Sequence, residues 1–374
     1  MSRAKDSTIL VMPLDLGGDA FDVAVKDCLD IAGFPTVCGS AAFEHAPAAT
    51  ENADVVNALL NSGCHIVGKT VMHELAYGMT GINAFSGTPV NPRFPDLIVG
   101  GSSSGSAAAV AAEMVDFAIG TDTGGSIRLP AACCGVMGLK PSFGIVSRQG
   151  ASPVHSSLDC VGPIARDMNM IEAAMRIICP GFEPTEMPQR PTIGRILCAA
   201  DAEVEQAIDK AIAPLDASLI AVELPSLHAA HLAGITIMAA EMAALFGHLI
   251  GSGKLGTDVD ARLTAAKTIT RGQVEEAEGV RAGFTQEVDG ILGHCDAILL
   301  PTLPAVPLRV EDAGDAKTAL RLSELVRPFN LSGHPALTLP LMTSQRQPAG
   351  IQIVGAKGND AGLCALGRMI EAIL

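Results

Sequence analysis

Gly120-Thr121-Asp122-Thr123-Gly124-Gly125-Ser126-Ile127-Arg128 places a serine directly after two glycines, at the end of a short β-rich run, Ala118-Ile119-Gly120. Glycines permit positive φ, so the segment reads first as a tight turn. Consecutive N–H groups in such a turn can also point into one concavity, the arrangement an oxyanion needs. Upstream lies a second glycine-rich stretch, Gly100-Gly101-Ser102-Ser103-Ser104-Gly105-Ser106, which runs into Ala107-Ala108-Ala109-Val110-Ala111-Ala112. That alanine run is a strong helix former, so the loop is expected at the N-terminus of a helix spanning Ser106 to Phe117. Neither loop has the Gly-x-x-x-x-Gly-Lys order of a phosphate loop or the Gly-x-Gly-x-x-Gly spacing of a dinucleotide fold.

A serine hydroxyl is a poor nucleophile at neutral pH and needs a proton acceptor and oxyanion donors around it. Histidine is not obviously placed to serve: His73, the nearest, reads as a structural hydrogen-bonded group. Lys69, in Val67-Gly68-Lys69-Thr70, lies among Ile66, Val67, Val71 and Met72, an apolar setting unusual for lysine. Lys26 in Val25-Lys26-Asp27 and Lys140 in Gly138-Leu139-Lys140-Pro141 occupy comparable settings, and position alone does not choose among the three. An ordinary lysine is neutral in only roughly one molecule in 2,500 at pH 7, so a lysine base must be buried to lower its pKa.

The two loops together resemble the amidase signature family, whose defining stretch is a Gly-Gly-Ser-Ser-Gly-Gly-Ser loop followed by Gly-Thr-Asp-x-Gly-Gly-Ser-Ile/Val-Arg. Gly100 to Ser106 matches the first with Ser104 in place of one glycine, as in malonamidase-like members, and Gly120 to Arg128 matches the second throughout. The similarity runs from about Phe21 through Arg166 and returns at Leu300-Pro301-Thr302, Asn330 to Ala336 and Pro348 to Gln352. The resemblance implies Ser126 as nucleophile, Ser102 as a bridging serine on a cis peptide, and Lys69 as base, with Lys26 and Lys140 structural. It implies an oxyanion hole of the backbone N–H groups of Thr123, Gly124, Gly125 and Ser126, an acyl-enzyme, and neither cofactor nor metal. The run Glu74 to Ala84 and the phrase Val115 to Gly120 are most similar to plant-type indole-3-acetamide hydrolases and short bacterial relatives, with Tyr77 and Met79 candidates to line the acyl pocket. The implied activity is hydrolysis of a small amide, an arylacetamide such as indole-3-acetamide being one instance. The alternative is an amidotransferase A-type subunit that makes ammonia from glutamine within a complex.

The expected fold is α/β, one domain over residues 1–374 with a central mixed sheet between helical layers, a signature core at about 64–166 and a mainly helical region at about 180–292. Helices are expected at Ala53 to Ser62, Met168 to Ile178, Ala202 to Ala213, Val274 to Val288 and Gly362 to Ile373. Strands are expected near Phe21 to Val25, Ile66-Val67, Ile193 to Ala199, Ala297 to Leu300, Ala336 to Leu339 and Gly350 to Val354. Twenty-five Lys and Arg against forty Asp and Glu give a net charge of −15, which repels nucleic acid and anionic membranes. Eleven Phe, one Tyr and no Trp make an aromatic stacking platform unexpected. Met1 to Lys5 do not open a signal peptide, and the most apolar stretch, around Leu232 to Ile250, is interrupted by Glu241 and His248. A cytoplasmic protein is expected, its ten cysteines reduced and without zinc-site spacing. Only about twenty-five residues precede Lys26, fewer than in typical family members, and a homodimer is one expected assembly.

Overall fold

The computed structural model describes residues 8–187, 190–198, 200–314 and 316–374. The segment Met1 to Lys5 and the expected strand end at Ala199 lie outside the described residues. Eleven strands form one mixed sheet: β1 (Leu10–Gly17), β2 (Asp22–Lys26), β3 (His65–Thr70), β4 (Phe117–Asp122), β5 (Met137–Lys140), β6 (Cys160–Ala165), β7 (Thr192–Arg195), β8 (Ser218–Ala221), β9 (Ala297–Pro301), β10 (Ala336–Met342) and β11 (Pro348–Val354). Their spatial order is β1-β3-β2-β4-β6-β5-β10-β11-β9-β7-β8. Parallel pairs β3/β2/β4 and β9/β7/β8 are joined by antiparallel strands, as the expected mixed sheet requires. The helices are α1 (Asp54–Asn61), α2 (Ser104–Ala111), α3 (Arg128–Cys134), α4 (Met168–Ile178), α5 (Ala202–Ile212), α6 (Leu227–Phe246), α7 (Thr257–Ala266), α8 (Arg271–Leu292), α9 (Ala316–Arg321), α10 (Arg327–Leu331) and α11 (Asp360–Glu371).

Side chains alternate across the sheet, and the two faces meet different partners. Ala24 and Ala118 pack with Ala107, Ala108 and Val110 of α2 and with Ile127 and Ala131, whereas Val23, Val25, Phe117 and Ile119 join the larger core with Ile171 and Met175 of α4. The alanines of α2 let that helix lie close on β2 and on β4, the strand that leads into the Ser126 turn. On β3 the register against β2 slips by one residue: Val23 faces Ile66, but Ala24 faces Gly68, Val25 faces Lys69 and Lys26 faces Thr70. From that point β3 presents the opposite side chains to each face.

Several elements depart from expectation. The helix expected to reach Phe117 ends at Ala111, and Glu113 turns the chain at φ 56° into β4. The helix expected at Val274 begins at Arg271, because Thr270 and Gln273 form a capping box in which Thr270 Oγ1 accepts from Gln273 N at 3.3 Å. Strand β6 was hidden by Gly162 and Pro163; a Cβ on Gly162 would stand 2.3 Å from the Leu139 carbonyl, so glycine is what lets β6 lie there. Helix α6 with the turn after it, Leu227–Leu249, is long and apolar enough to cross a membrane by length and composition, although Glu241 and His248 interrupt it. Half of it is buried, including Ala230, Ile237, Met238 and Met242, and the helix packs on α7, α8 and α10.

Candidate active site

Ser126 sits in the turn between β4 and α3, and that turn is held by Asp122 at the end of the strand. Asp122 Oδ1 accepts from Gly125 N at 2.7 Å, and Oδ2 accepts from Ile127 N at 3.2 Å and Arg128 Nε at 3.0 Å. Arg128 Nη2 closes the pair on Oδ1 at 3.0 Å, and its remaining donors reach Asn330 Oδ1, Gln352 Oε1 and the Val326 carbonyl. Burial pushes the Asp122 carboxyl up, but the Arg128 guanidinium, its hydrogen bonds and that of Asn330 more than offset this and hold the carboxyl below its ordinary range. The N–H of Gly125 is therefore spent on Asp122, which corrects the expectation that it belongs to the oxyanion hole. Thr123, Gly124 and Ser126 keep N–H groups with no acceptor among the described residues. Ser126 Oγ is buried and has no hydrogen-bond partner.

The second loop is tied to the first. Ser103 N donates to the Ser126 carbonyl at 3.2 Å, Ser103 Oγ donates to the Thr121 carbonyl at 3.2 Å, and His73 N donates to the Ser102 carbonyl at 3.0 Å. The Gly101–Ser102 peptide is cis, as the resemblance implied. Lys26, at the end of β2, donates through Nζ to Ser102 Oγ at 2.8 Å and to Thr121 Oγ1 at 2.7 Å. Lys26 is fully buried, and burial lowers its pKa from the ordinary lysine value against smaller opposing effects of Cys28, Asp159 and Asp122.

The lysine expected as the base lies elsewhere. Lys69 Nζ is 3.0 Å from Asp27 Oδ1, both side chains buried, and also donates to the Pro35 carbonyl at 2.9 Å and Thr36 Oγ1 at 3.1 Å. The register slip on β3 turns Lys69 to the face that Val25 occupies, away from Ser102, so Lys26 and not Lys69 is the lysine in contact with the serine loop. Lys140 remains a structural group, donating to the Pro141 carbonyl at 2.8 Å.

Tyr77 is buried beneath Arg262, whose Cζ is 6.0 Å from the ring centroid. Met79 packs in an apolar cluster with Ile98, Leu129, Cys133 and Leu303, so its side chain serves the core rather than the pocket expected of it, while its carbonyl accepts from Gly101 N at 2.8 Å. His73 bonds through Nε2 to Asp258 Oδ2 at 3.2 Å. A cavity of about 740 Å³ is lined by Arg93, Glu203, Lys210, Leu341 and Leu374, among others, and includes no residue of either serine loop.

Residues around the site that the sequence reading passed over are Asp122, Arg128, Arg327, Asn330 and Gln352. Asp122 and Arg128 were inside the quoted motif, and a charged pair flanking a glycine turn could have been read as its clamp. Asn330, Arg327 and Gln352 come from segments some two hundred residues away; Asn330 and Gln352 fall within stretches of the family resemblance, but nothing local to them points to the serine turn.

Known proteins resemble this chain over most of its length. A protein-family model described as Amidase matches residues 22–364. The chain is 31% identical over 379 residues to Amidase 1 of Oryza sativa subsp. japonica, covering 90% of this chain and 86% of that protein. It is 32% identical over 412 residues to the A-type subunit of the glutamyl-tRNA(Gln) amidotransferase of Halobacterium salinarum, covering 94% of this chain and 95% of that one. A solved amidase structure superimposes with a TM-score of 0.88 at 32% identity over 95% of this chain and 84% of its own.

Proposed function

Because this chain belongs to the amidase family and is a hydrolase of amide C–N bonds, we propose that it cleaves a small-molecule carboxylic amide through an acyl-Ser126 intermediate, with Lys26 as the base and Ser102 as the relay. The observation that carries this reading is the 2.8 Å contact between Lys26 Nζ and Ser102 Oγ, on the loop bonded to the Ser126 turn. Neutral Lys26 takes the proton of Ser102 while Ser102 takes that of Ser126, and Ser126 Oγ bonds to the amide carbon. The carbonyl oxygen becomes an oxyanion facing the N–H groups of Thr123, Gly124 and Ser126. The C–N bond then breaks as the proton returns through Ser102 to the leaving nitrogen, releasing ammonia. Water, deprotonated by the same relay, attacks the ester, and Ser126 recovers its proton as the carboxylate leaves.

The test is a fluorophosphonate probe followed by mass spectrometry, together with ammonia release from an amide panel and trapping by hydroxylamine. Labelling on the peptide containing Ser126 and formation of a hydroxamate are expected. An adduct on Ser102 would exchange the two serine roles, and turnover without acyl transfer to hydroxylamine would replace the covalent path by direct attack of water.

A second reading, an ammonia-producing component of an amidotransferase, is favoured by the likeness to the Halobacterium salinarum protein over almost the whole chain. Glutaminase activity that appears only with copurifying subunits would select it.

A further inference from the structure

Arg327 opens α10, is 1% exposed, and has no ion-pair partner among the described residues. Its Nη1 is 3.2 Å from Met238 Sδ, its Nη2 donates to Ser323 Oγ at 3.2 Å, and its Nε has no partner. The guanidinium lies against the nucleophile turn: a Cβ on Gly124 would stand 2.4 Å from Nη1, 2.7 Å from Cζ and 3.1 Å from Nη2. Gly124 is what lets the group come so close.

Other buried arginines here are neutralised. Arg128 faces Asp122, and Arg195 faces Glu205 and Asp209. Of the acidic groups that act on Arg327, the Tyr77 phenol comes before Asp122 and is neutral at pH 7, and both oxygens of Asp122 are already taken by Arg128 and the turn. His231, from α6, adds a second buried nitrogen without a partner, Nδ1, in a position where the Arg327 charge opposes its protonation. Burial lowers the Arg327 pKa only to about 10, so it is a cation at neutral pH. A buried guanidinium without an anion is costly, and its planar fork suits a carboxylate in bidentate fashion.

We propose that Arg327 binds a carboxylate on the acyl part of the substrate, so that the enzyme acts on primary amides that carry a second, ionised carboxyl group in preference to neutral amides. This rests on the amidase reading of the same site and departs from the neutral arylacetamide that the sequence resemblance implied. The charge on Arg327 would be met only when substrate is bound, which places the reacting amide beside Ser126 and gives selectivity through an otherwise unpaired buried cation.

The experiment compares isosteric pairs: malonamate with 3-methylbutanamide, succinamate with 4-methylpentanamide, and glutaramate with 5-methylhexanamide. Each is assayed by ammonia release with wild type, Arg327→Gln and Arg327→Lys, and binding of malonate, succinate and glutarate is measured by calorimetry on the same three proteins. At least one carboxylate-bearing amide should exceed its neutral isostere by about 100-fold in kcat/KM. Arg327→Gln should collapse that ratio mainly through KM, Arg327→Lys should keep part of it, and dicarboxylate binding should be lost in Arg327→Gln. Equal turnover of the pairs, or a ratio and a dicarboxylate affinity that survive in Arg327→Gln, overturns the proposal. Dicarboxylate binding that depends on Arg327 in a protein that hydrolyses none of the amides supports the carboxylate site while refuting small-amide hydrolysis. Absence of both binding and selectivity in a wild-type protein that hydrolyses neutral amides refutes the carboxylate site alone.

Discussion

Lys26 and Lys69 stand on neighbouring parallel strands one residue out of register and so present their amines to opposite faces of the sheet. One amine meets Ser102 Oγ, the other Asp27 Oδ1. The same residue type in similar apolar surroundings is thus bonded to a loop serine in one place and half of a buried ion pair in the other.

Replacement of the two lysines should separate these roles. Lys26→Met is expected to lower kcat by about 10²–10⁴-fold with a normal melting temperature, because it removes the base and leaves packing in place. Lys69→Met leaves Asp27 buried without its partner and should cost about 3–5 kcal/mol of stability, while kcat per folded molecule stays close to wild type. Denaturant titration and active-site-normalised kinetics read the two effects, and the opposite pattern would return the base to Lys69.

The pH profile should report Lys26. Burial lowers its pKa from 10.5, and the neutral amine is the active form, so kcat/KM should rise with pH along a limb centred below the ordinary lysine value and be lost as pH falls through it. In Lys69→Met the limb should keep its position. A limb that moves with Lys69→Met would contradict the assignment.

Breaking the clamp under the nucleophile should unfold more than the turn. Arg128→Ala strands the fully buried Asp122 and is expected to destabilise by about 3–5 kcal/mol. Arg128→Lys should rescue little, since one ammonium cannot reach Asp122, Asn330, Gln352 and the Val326 carbonyl together. Because the folded-state pKa of Asp122 is depressed, its contribution is complete above the ordinary carboxylate range and is lost as pH falls below it. Urea midpoints of both variants measure this.

Acid should weaken the fold through two buried histidines. Burial first, then neighbouring cations, lowers His231 to about 3 and His334 to about 4 from an ordinary value of 6.5. Below pH 6.5 the unfolded chain takes up protons that the folded one refuses, so stability should fall as pH drops from about 6.5 to 4. Melting temperatures of His231→Gln and His334→Gln across this range should show a shallower decline than wild type; an unchanged slope in both would refute it.

The motif from Gly120 to Arg128, and the loop from Gly100 to Ser106 before it, determined by themselves the family and the mixed α/β architecture, because glycine turns of that kind are local and their spacing along the chain survives in the sequence. The periodic segments were legible for the same reason: the helix Met168–Ile178 follows its apolar period to the residue, and its start is fixed by Asp167 accepting from Met170 N at 2.9 Å. The identity of the lysine was not legible. Three lysines share apolar neighbours, and what distinguishes Lys26 from Lys69 is a one-residue slip between β2 and β3, set by pairing across strands some forty residues apart. Arg327, Asn330 and Gln352 reach the turn by way of α10 and β11, and only the folded sheet brings them there. Residue types and turns are properties of neighbours along the chain; which face a side chain takes, and which buried charge goes unpaired, are properties of neighbours in space.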